Sequence, residues 1–239
     1  MPLQNRVAPD GTIFADAARG LLMGNRGGVL HDDERQLTSR RWASKQWITC
    51  ALAYKDRHET IMAPRHYTQL FFLDEATALA AGHRPCALCR RADFLRFMEG
   101  WQRLHGLARS PKVAEVDAVL HAERVGPGKA KVSFEARFGG VPPGVMVELG
   151  SDPIPIPAAT LAKMGSDPNS THNGQPTHYL NFSTALLPWT PSGYGPPIKT
   201  EPDRLVRVLT PRSVAAIIAS GYAPMLHPSA LEMSAARST

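Results

Sequence analysis

The chain has 239 residues, 43% of them hydrophobic, and carries 27 Lys and Arg against 21 Asp and Glu. That is enough apolar material for a full core and too much for a disordered segment. No stretch approaches the roughly eighteen apolar residues of a membrane span, and Met1 to Arg6 lack the apolar run of a secretion signal. The three cysteines fit a metal in a reducing compartment better than a disulfide framework, so the expectation is a cytoplasmic protein without membrane contact.

Residues 3 to 30 suggest short strands and turns. Asp10-Gly11, between Arg6-Val7 and Thr12-Ile13-Phe14, is a two-residue hairpin signal. Gly24-Asn25-Arg26-Gly27-Gly28 has the glycines of a phosphate cradle without the lysine and helix of a P-loop, which favours a plain turn. His31-Asp32-Asp33-Glu34 has the chemistry to bind a hard cation, but adjacent side chains point apart, so a solvated turn is expected. Trp42 to Tyr54 is apolar with aromatic and β-branched members. It predicts a buried strand with Ile48, Cys50 and Leu52 on one face, followed by a second strand through His58 to Met62.

Tyr67 to Leu73 predicts a further strand, after which Asp74 caps a short helix that Gly82 ends. Two of the three cysteines then follow as Cys86-x-x-Cys89, behind His83. Two thiolates at this spacing supply two corners of a tetrahedron around zinc. The apolar series Leu88, Phe94, Leu95, Phe97, Met98, Trp101 and Leu104 predicts a helix from about Cys86 to Gly106, with both cysteines in its first turn. Cys50 as third ligand and His83 as fourth, with His58 as the alternative fourth, would complete an ordinary zinc site.

Ser110-Pro111 predicts the start of another helix, which Gly126-Pro127-Gly128 breaks, and a domain boundary is placed at residues 125 and 126. Beyond it the apolar period changes to two, in Val132, Phe134, Ala136 and Phe138, and in Val145 to Leu149. Ile154, Ile156, Tyr179-Leu180, Leu186-Leu187 and Leu205 to Leu209 are further strand candidates. Thr210-Pro211 starts a helix that Gly221 ends, and Leu226 onward suggests a fraying tail. The expected fold class is therefore α+β: a zinc-knuckle domain of short strands and helices over 1–125, then a small, mostly antiparallel β domain with a C-terminal helix over 126–239.

Phe71-Phe72, Glu75-Ala76, Leu79-Ala80-Ala81-Gly82 and Arg84-Pro85-Cys86-x-x-Cys89 together resemble the metal-binding module of the adaptive-response (Ada) DNA repair methyltransferases. The match spans about twenty residues. In that family four cysteines hold zinc, and the resemblance places Cys86 and Cys89 as the second ligand pair. Its earlier Cys-x-x-x-Cys pair would fall near Lys55 to Glu59, where this chain has no cysteine. One of that pair is the family's methyl acceptor, so repair of phosphotriesters by that route is in question.

Between residues 84 and 112 seven Lys and Arg stand against Asp93 and Glu99. Arg84, Arg90, Arg91, Arg96 and Arg103 are the candidate contacts to a DNA backbone, which attracts clustered cations through counterion release. Trp189 and Tyr194 could stack bases or pack on neighbouring prolines. Three functions follow: a DNA-directed zinc module, a zinc-dependent hydrolase, and a structural zinc domain for protein interaction. The hydrolase reading rests on a second likeness, of Pro85-Cys86-x-x-Cys89 to half of the nucleobase deaminase signature. There an upstream His-x-Glu supplies a ligand and a proton shuttle, whereas here His58 and Glu59 are adjacent; Glu59 is the candidate base.

Overall fold

The computed structural model describes residues 1–55, 59–149, 171–172 and 175–235, an α+β fold of two sheets and five helices among those residues. His58, Ile154 and Ile156 lie outside them. The first sheet has the order β2-β1-β5-β3-β4-β6, from Ile13–Ala15, Gln4–Val7, Leu70–Phe72, Leu22–Asn25, Ile48–Ala51 and Arg84–Pro85. Its β1–β5 and β4–β6 pairs are parallel and the remainder antiparallel.

The second sheet is wholly antiparallel, in the order β13-β12-β11-β8-β15-β7 with β14 also on β12. Its strands are Phe134–Arg137 (β7), Met146–Glu148 (β8), His178–Phe182 (β11), Ala185–Thr190 (β12), Gly193–Tyr194 (β13), Ile198–Lys199 (β14) and Leu205–Val208 (β15). Thr171–His172 (β9) and Gln175–Pro176 (β10) form a separate antiparallel pair.

The hairpin signal at Asp10-Gly11 works as its sequence implies. Val7 pairs with Ile13, and Gly11 takes a φ of 90° that a side chain would resist. The segment from Trp42 to Tyr54 is different: only Ile48–Ala51 is strand, and no strand follows at residues 59–62.

Helix α1 (Glu75–Ala80) sits among three apolar clusters, and all six of its residues are buried. Ala78 and Ala81 join Val7, Leu22, Leu70 and Phe72 of the first sheet. Ala76 and Ala80 join Met146, Leu180, Leu187 and Trp189 of the second. Leu79 joins the cluster formed by α2 (Arg91–Leu104), α3 (Val113–Arg124) and α4 (Arg212–Ala219) against the second sheet. Alanines on nearly every face let both sheets approach within side-chain contact. Two of the three clusters draw on residues from both sides of positions 125 and 126, so the expected boundary is crossed by continuous packing.

A helix without a solvated face must satisfy its end groups internally. Asp74 caps α1: its Oδ1 accepts from the backbone N and the hydroxyl of Thr77 at 2.9 and 2.8 Å. Its Oδ2 accepts from the Tyr194 hydroxyl at 2.8 Å and the His227 backbone N at 3.1 Å. Burial pushes its carboxyl above the usual range, while the N–H donors pull it back. Glu75 accepts from the Tyr222 hydroxyl at 2.6 Å and the Met225 backbone N at 2.9 Å. At the other end Gly82 turns the chain at φ 90°. A Cβ there would lie 2.4 Å from Cδ of Arg124.

Several expectations of local structure are corrected by packing. Helix α2 begins at Arg91, so Cys86 and Cys89 lie in the preceding turn, and Leu88, Leu95 and Leu104 are exposed. Gly100 is the position where α2 meets Ile217 of α4, whose Cγ2 would lie 2.8 Å from an added Cβ. Helix α3 starts at Val113, its first turn closed by Glu115 accepting from the Lys112 backbone N rather than by Ser110. The supposed tail carries a fifth helix, α5 (Pro228–Ala235), anchored by buried Ala230 and by Ser229, whose hydroxyl accepts from the Tyr194 backbone N at 2.8 Å. Among the described residues no helix is long and apolar enough to cross a membrane.

Replacing Asp74 with Ala strips a cap and three further hydrogen bonds from a buried site. It should lower unfolding free energy by about 2–4 kcal/mol in urea titrations, with Asp74→Asn retaining more of it. Equal losses in the two variants would show that the charge matters and the cap does not.

Candidate metal centre

The site is assembled by strand register. Strand β6 runs parallel to β4, with Ile48 opposite Arg84 and Thr49 opposite Pro85. One further step brings Cys50 beside Cys86, and the Cys86 backbone N donates to the Thr49 carbonyl at 2.8 Å. The chain then turns tightly: the Arg90 backbone N donates to the Cys86 carbonyl at 3.2 Å, which swings Cys89 back toward the pair. The sulfurs of Cys50, Cys86 and Cys89 all lie within 4.8 Å of one another, a group that can hold a metal ion.

The surroundings favour negative sulfur at Cys86. Cys86 Sγ accepts from the Leu88 backbone N at 3.4 Å, and backbone N–H groups of Cys89 and Ala51 also face Cys86 and Cys89 respectively. A hydrogen bond from the Cys50 thiol pulls Cys86 down to about 5, overriding its partial burial. The same bond, together with burial, pushes Cys50 far up, while burial foremost raises Cys89. Three thiols this close thus share protons in the metal-free protein, because like charges cannot accumulate without a counter-ion. A divalent cation with an affinity for sulfur removes that conflict, so the donor set fits a metal.

One wall of a cleft of about 630 Å³ is formed by these cysteines. Its other lining groups include Asn25, Tyr54, Glu59, Tyr67, Gln69 and Phe71. Glu59 is exposed, and its Oε2 accepts from the Tyr67 hydroxyl at 2.9 Å and the Gln69 amide at 3.5 Å. Around the other side of Cys89, a groove is lined by Arg90, Arg91, Asp93 and Arg96.

His83 is not part of the sulfur group. It is buried between Trp47 and Phe72, with ring centroids 5.1 and 4.7 Å away, and its Nε2 accepts from Arg26 Nε at 3.3 Å. Burial foremost, then neighbouring cations, hold this imidazole neutral. A ring enclosed by aromatic faces and committed to an arginine does not reach the cysteines, so the expectation of His83 as a ligand is corrected.

The five candidate arginines divide. Arg84 is 1% exposed and forms a two-pronged pair with Asp117, Nε and Nη2 each 2.8 Å from a carboxylate oxygen. Arg90 is also buried and joins Glu75 at 2.9 Å and Asp93 at 2.7 Å, fastening α2 to α1. Those two are internal struts. Arg91, Arg96 and Arg103 are exposed on α2; Arg96 pairs with Asp93, and Arg91 lies over the Phe94 ring. Trp189 and Tyr194 are core residues, the Trp189 indole N–H donating to the Thr77 hydroxyl at 3.0 Å. His31, in the acidic turn, is buried with its Nδ1 2.7 Å from the Thr68 hydroxyl.

Asp117 and Glu75, the partners that neutralise the two internal arginines, carry no local sequence signal, since each lies on a different element from its arginine. No family model, curated protein or solved structure matches the chain.

Cobalt(II) added to the metal-free protein is expected to bind with sulfur-to-cobalt charge-transfer absorption, and Cys50→Ala to remove about a third of its intensity. An undiminished band would take Cys50 out of the ligand set.

Proposed function

We propose that the chain is a zinc protein in which Cys50, Cys86 and Cys89 hold the ion, leave its remaining position toward the cleft, and act on a nucleic acid. The carrying observation is that three sulfurs from two distant segments converge on the wall of a 630 Å³ cleft, with no His, Asp or Glu among the described residues joining them. Zinc suits three thiolates, and an open fourth position distinguishes working zinc sites from closed structural ones. When bound there, it would supply a Lewis acid, held by the thiolates of Cys50, Cys86 and Cys89.

Nucleic acid as the partner is supported by two features. The block from Phe71 to Cys89 resembles Ada-type modules, with Cys50 on β4 standing in for the earlier cysteine pair that this chain lacks at 55 to 59. The exposed Arg91 and Arg96 flank the groove beside Cys89, and Arg103 continues along the same helix. Exposed cations along one helix beside a reactive centre suit a phosphate backbone.

A zinc-dependent hydrolase is the second reading. Glu59 favours it: the carboxylate lines the same cleft as the sulfurs and is positioned by Tyr67 and Gln69, as a proton-transferring group requires. Glu59→Gln would then abolish turnover while leaving metal content unchanged.

X-ray absorption on the isolated protein should find zinc with three sulfurs and one lighter ligand. Four sulfurs, or folded protein without metal, would overturn the assignment. Neutralising Arg91, Arg96 and Arg103 together should weaken DNA binding irrespective of sequence and lower the salt slope by about 1 per residue. An unchanged slope removes α2 from the contact surface. Arg84→Gln should instead destabilise the fold by about 3–5 kcal/mol, because it strands Asp117.

A further inference from the structure

A second cleft, of about 460 Å³, shares no lining residue with the one beside the sulfurs. It opens among the β1–β2 turn, the glycine-containing turn after β3 and the end of α3. Its lining includes Arg26, Arg41, Arg124, Lys129 and Lys131 against one carboxylate, Asp10. That carboxylate is already engaged by the backbone N and hydroxyl of Thr12.

Arg26 and Arg124 are each 2% exposed, and neither takes part in an ion pair among the described residues. Their guanidinium carbons lie over the Trp47 ring, 4.0 and 4.1 Å from its centroid. Their hydrogen bonds go to neutral acceptors: Arg26 to the Gly11 carbonyl at 2.9 Å, the Arg41 carbonyl and His83, and Arg124 to the carbonyls of Gly82 and Lys45. Half-buried Lys131 donates to the Ala80 carbonyl. Nε of Arg124 is buried with no hydrogen-bond partner.

The contrast with the rest of the molecule is informative. Buried Arg84 has Asp117, and buried Arg90 has Glu75 and Asp93, as the cost of burying a charge demands. Around Trp47 the same fold collects cations that have no contact ion pair among the described residues, with Asp10 and Asp117 acting on them only from a distance. Burial foremost lowers Lys131 to about 7 and Arg124 to about 9; Asp10 and Asp117 respectively oppose that shift, and the neighbouring arginines add to it. An anion is what such a constellation lacks, and guanidinium groups bind phosphate oxygens through paired N–H donors.

We propose that this cleft binds the phosphate group of a small phosphorylated molecule, a nucleoside monophosphate foremost, through Arg26, Arg124 and Lys131. Its volume lies within the ~300–1,000 Å³ typical of small-molecule sites. Half-buried Trp42, 6.0 Å from Trp47 ring to ring, offers a base a surface to stack on. The turn Gly24-Asn25-Arg26-Gly27-Gly28 therefore contributes the Arg26 side chain to the anion site. Its Gly27 N–H is occupied by the Asn25 side chain. None of this depends on the metal.

Calorimetry and thermal shift with AMP and with inorganic phosphate, each against chloride at matched ionic strength, test the site. Both phosphates should bind and raise Tm beyond chloride, and Lys131→Met and Arg124→Gln should each weaken AMP about tenfold or more. Tighter binding of AMP than of phosphate assigns a nucleotide, and equal binding assigns the free oxyanion. If neither anion binds or raises Tm beyond chloride, or if Lys131→Met binds AMP like the wild type, the cations are structural and the proposal falls.

Discussion

The fold depends on burying a polar-ended helix of six residues. Helix α1 has no solvated face, so both sheets and the helical layer must close around it, and every backbone and carboxylate group at its N-terminus needs an internal partner. Asp74 and Glu75 meet that requirement by drawing in Tyr194, Tyr222, Met225 and His227 from the last fifth of the chain. Residues more than a hundred positions apart are thus bound to one turn of helix. This is the physical reason that packing runs continuously across the change of pattern near residue 125.

The same constraint reaches the sulfur group. Glu75 holds Arg90, Arg90 closes the turn that carries Cys89, and β6 emerges directly after α1 to lie parallel to β4. The convergence of Cys50 with Cys86 and Cys89 is therefore a consequence of strand register rather than of the Cys-x-x-Cys spacing alone. Charge is handled in two opposite ways nearby. Arg84 and Arg90 are neutralised by carboxylates in the interior, whereas Arg26 and Arg124 press on the faces of Trp47 with no carboxylate in ion-pair contact among the described residues. The first arrangement is a strut, and the second holds electrostatic free energy that a bound anion can release.

Local chemistry was legible in the sequence wherever one residue type decides a short stretch. The Asp10-Gly11 hairpin, the Asp74 cap and the Gly82 terminus each rest on a single backbone or side-chain requirement, and the alternating pattern of the second half marked an antiparallel sheet. The α+β class follows from those patterns. Cys86 and Cys89 were identifiable because a close cysteine pair is rare outside metal and redox sites, and Cys50 because it was the one remaining thiol.

What only the tertiary structure decided is which charged and aromatic residues are internal. A sequence count assigns Arg84, Arg90 and Arg103 the same weight, yet only the last faces solvent, because Asp117 and Glu75 arrive from other helices. His83 stands three residues from Cys86 and still points into an aromatic cage, since β6 begins between them and directs successive side chains apart. Sequence by itself determined the fold class, the local turns and caps, and which sulfur atoms can bind a metal. The pairing register and the closure around α1 determined which of those atoms meet, because contacts between distant segments depend on the whole packing and leave no local trace.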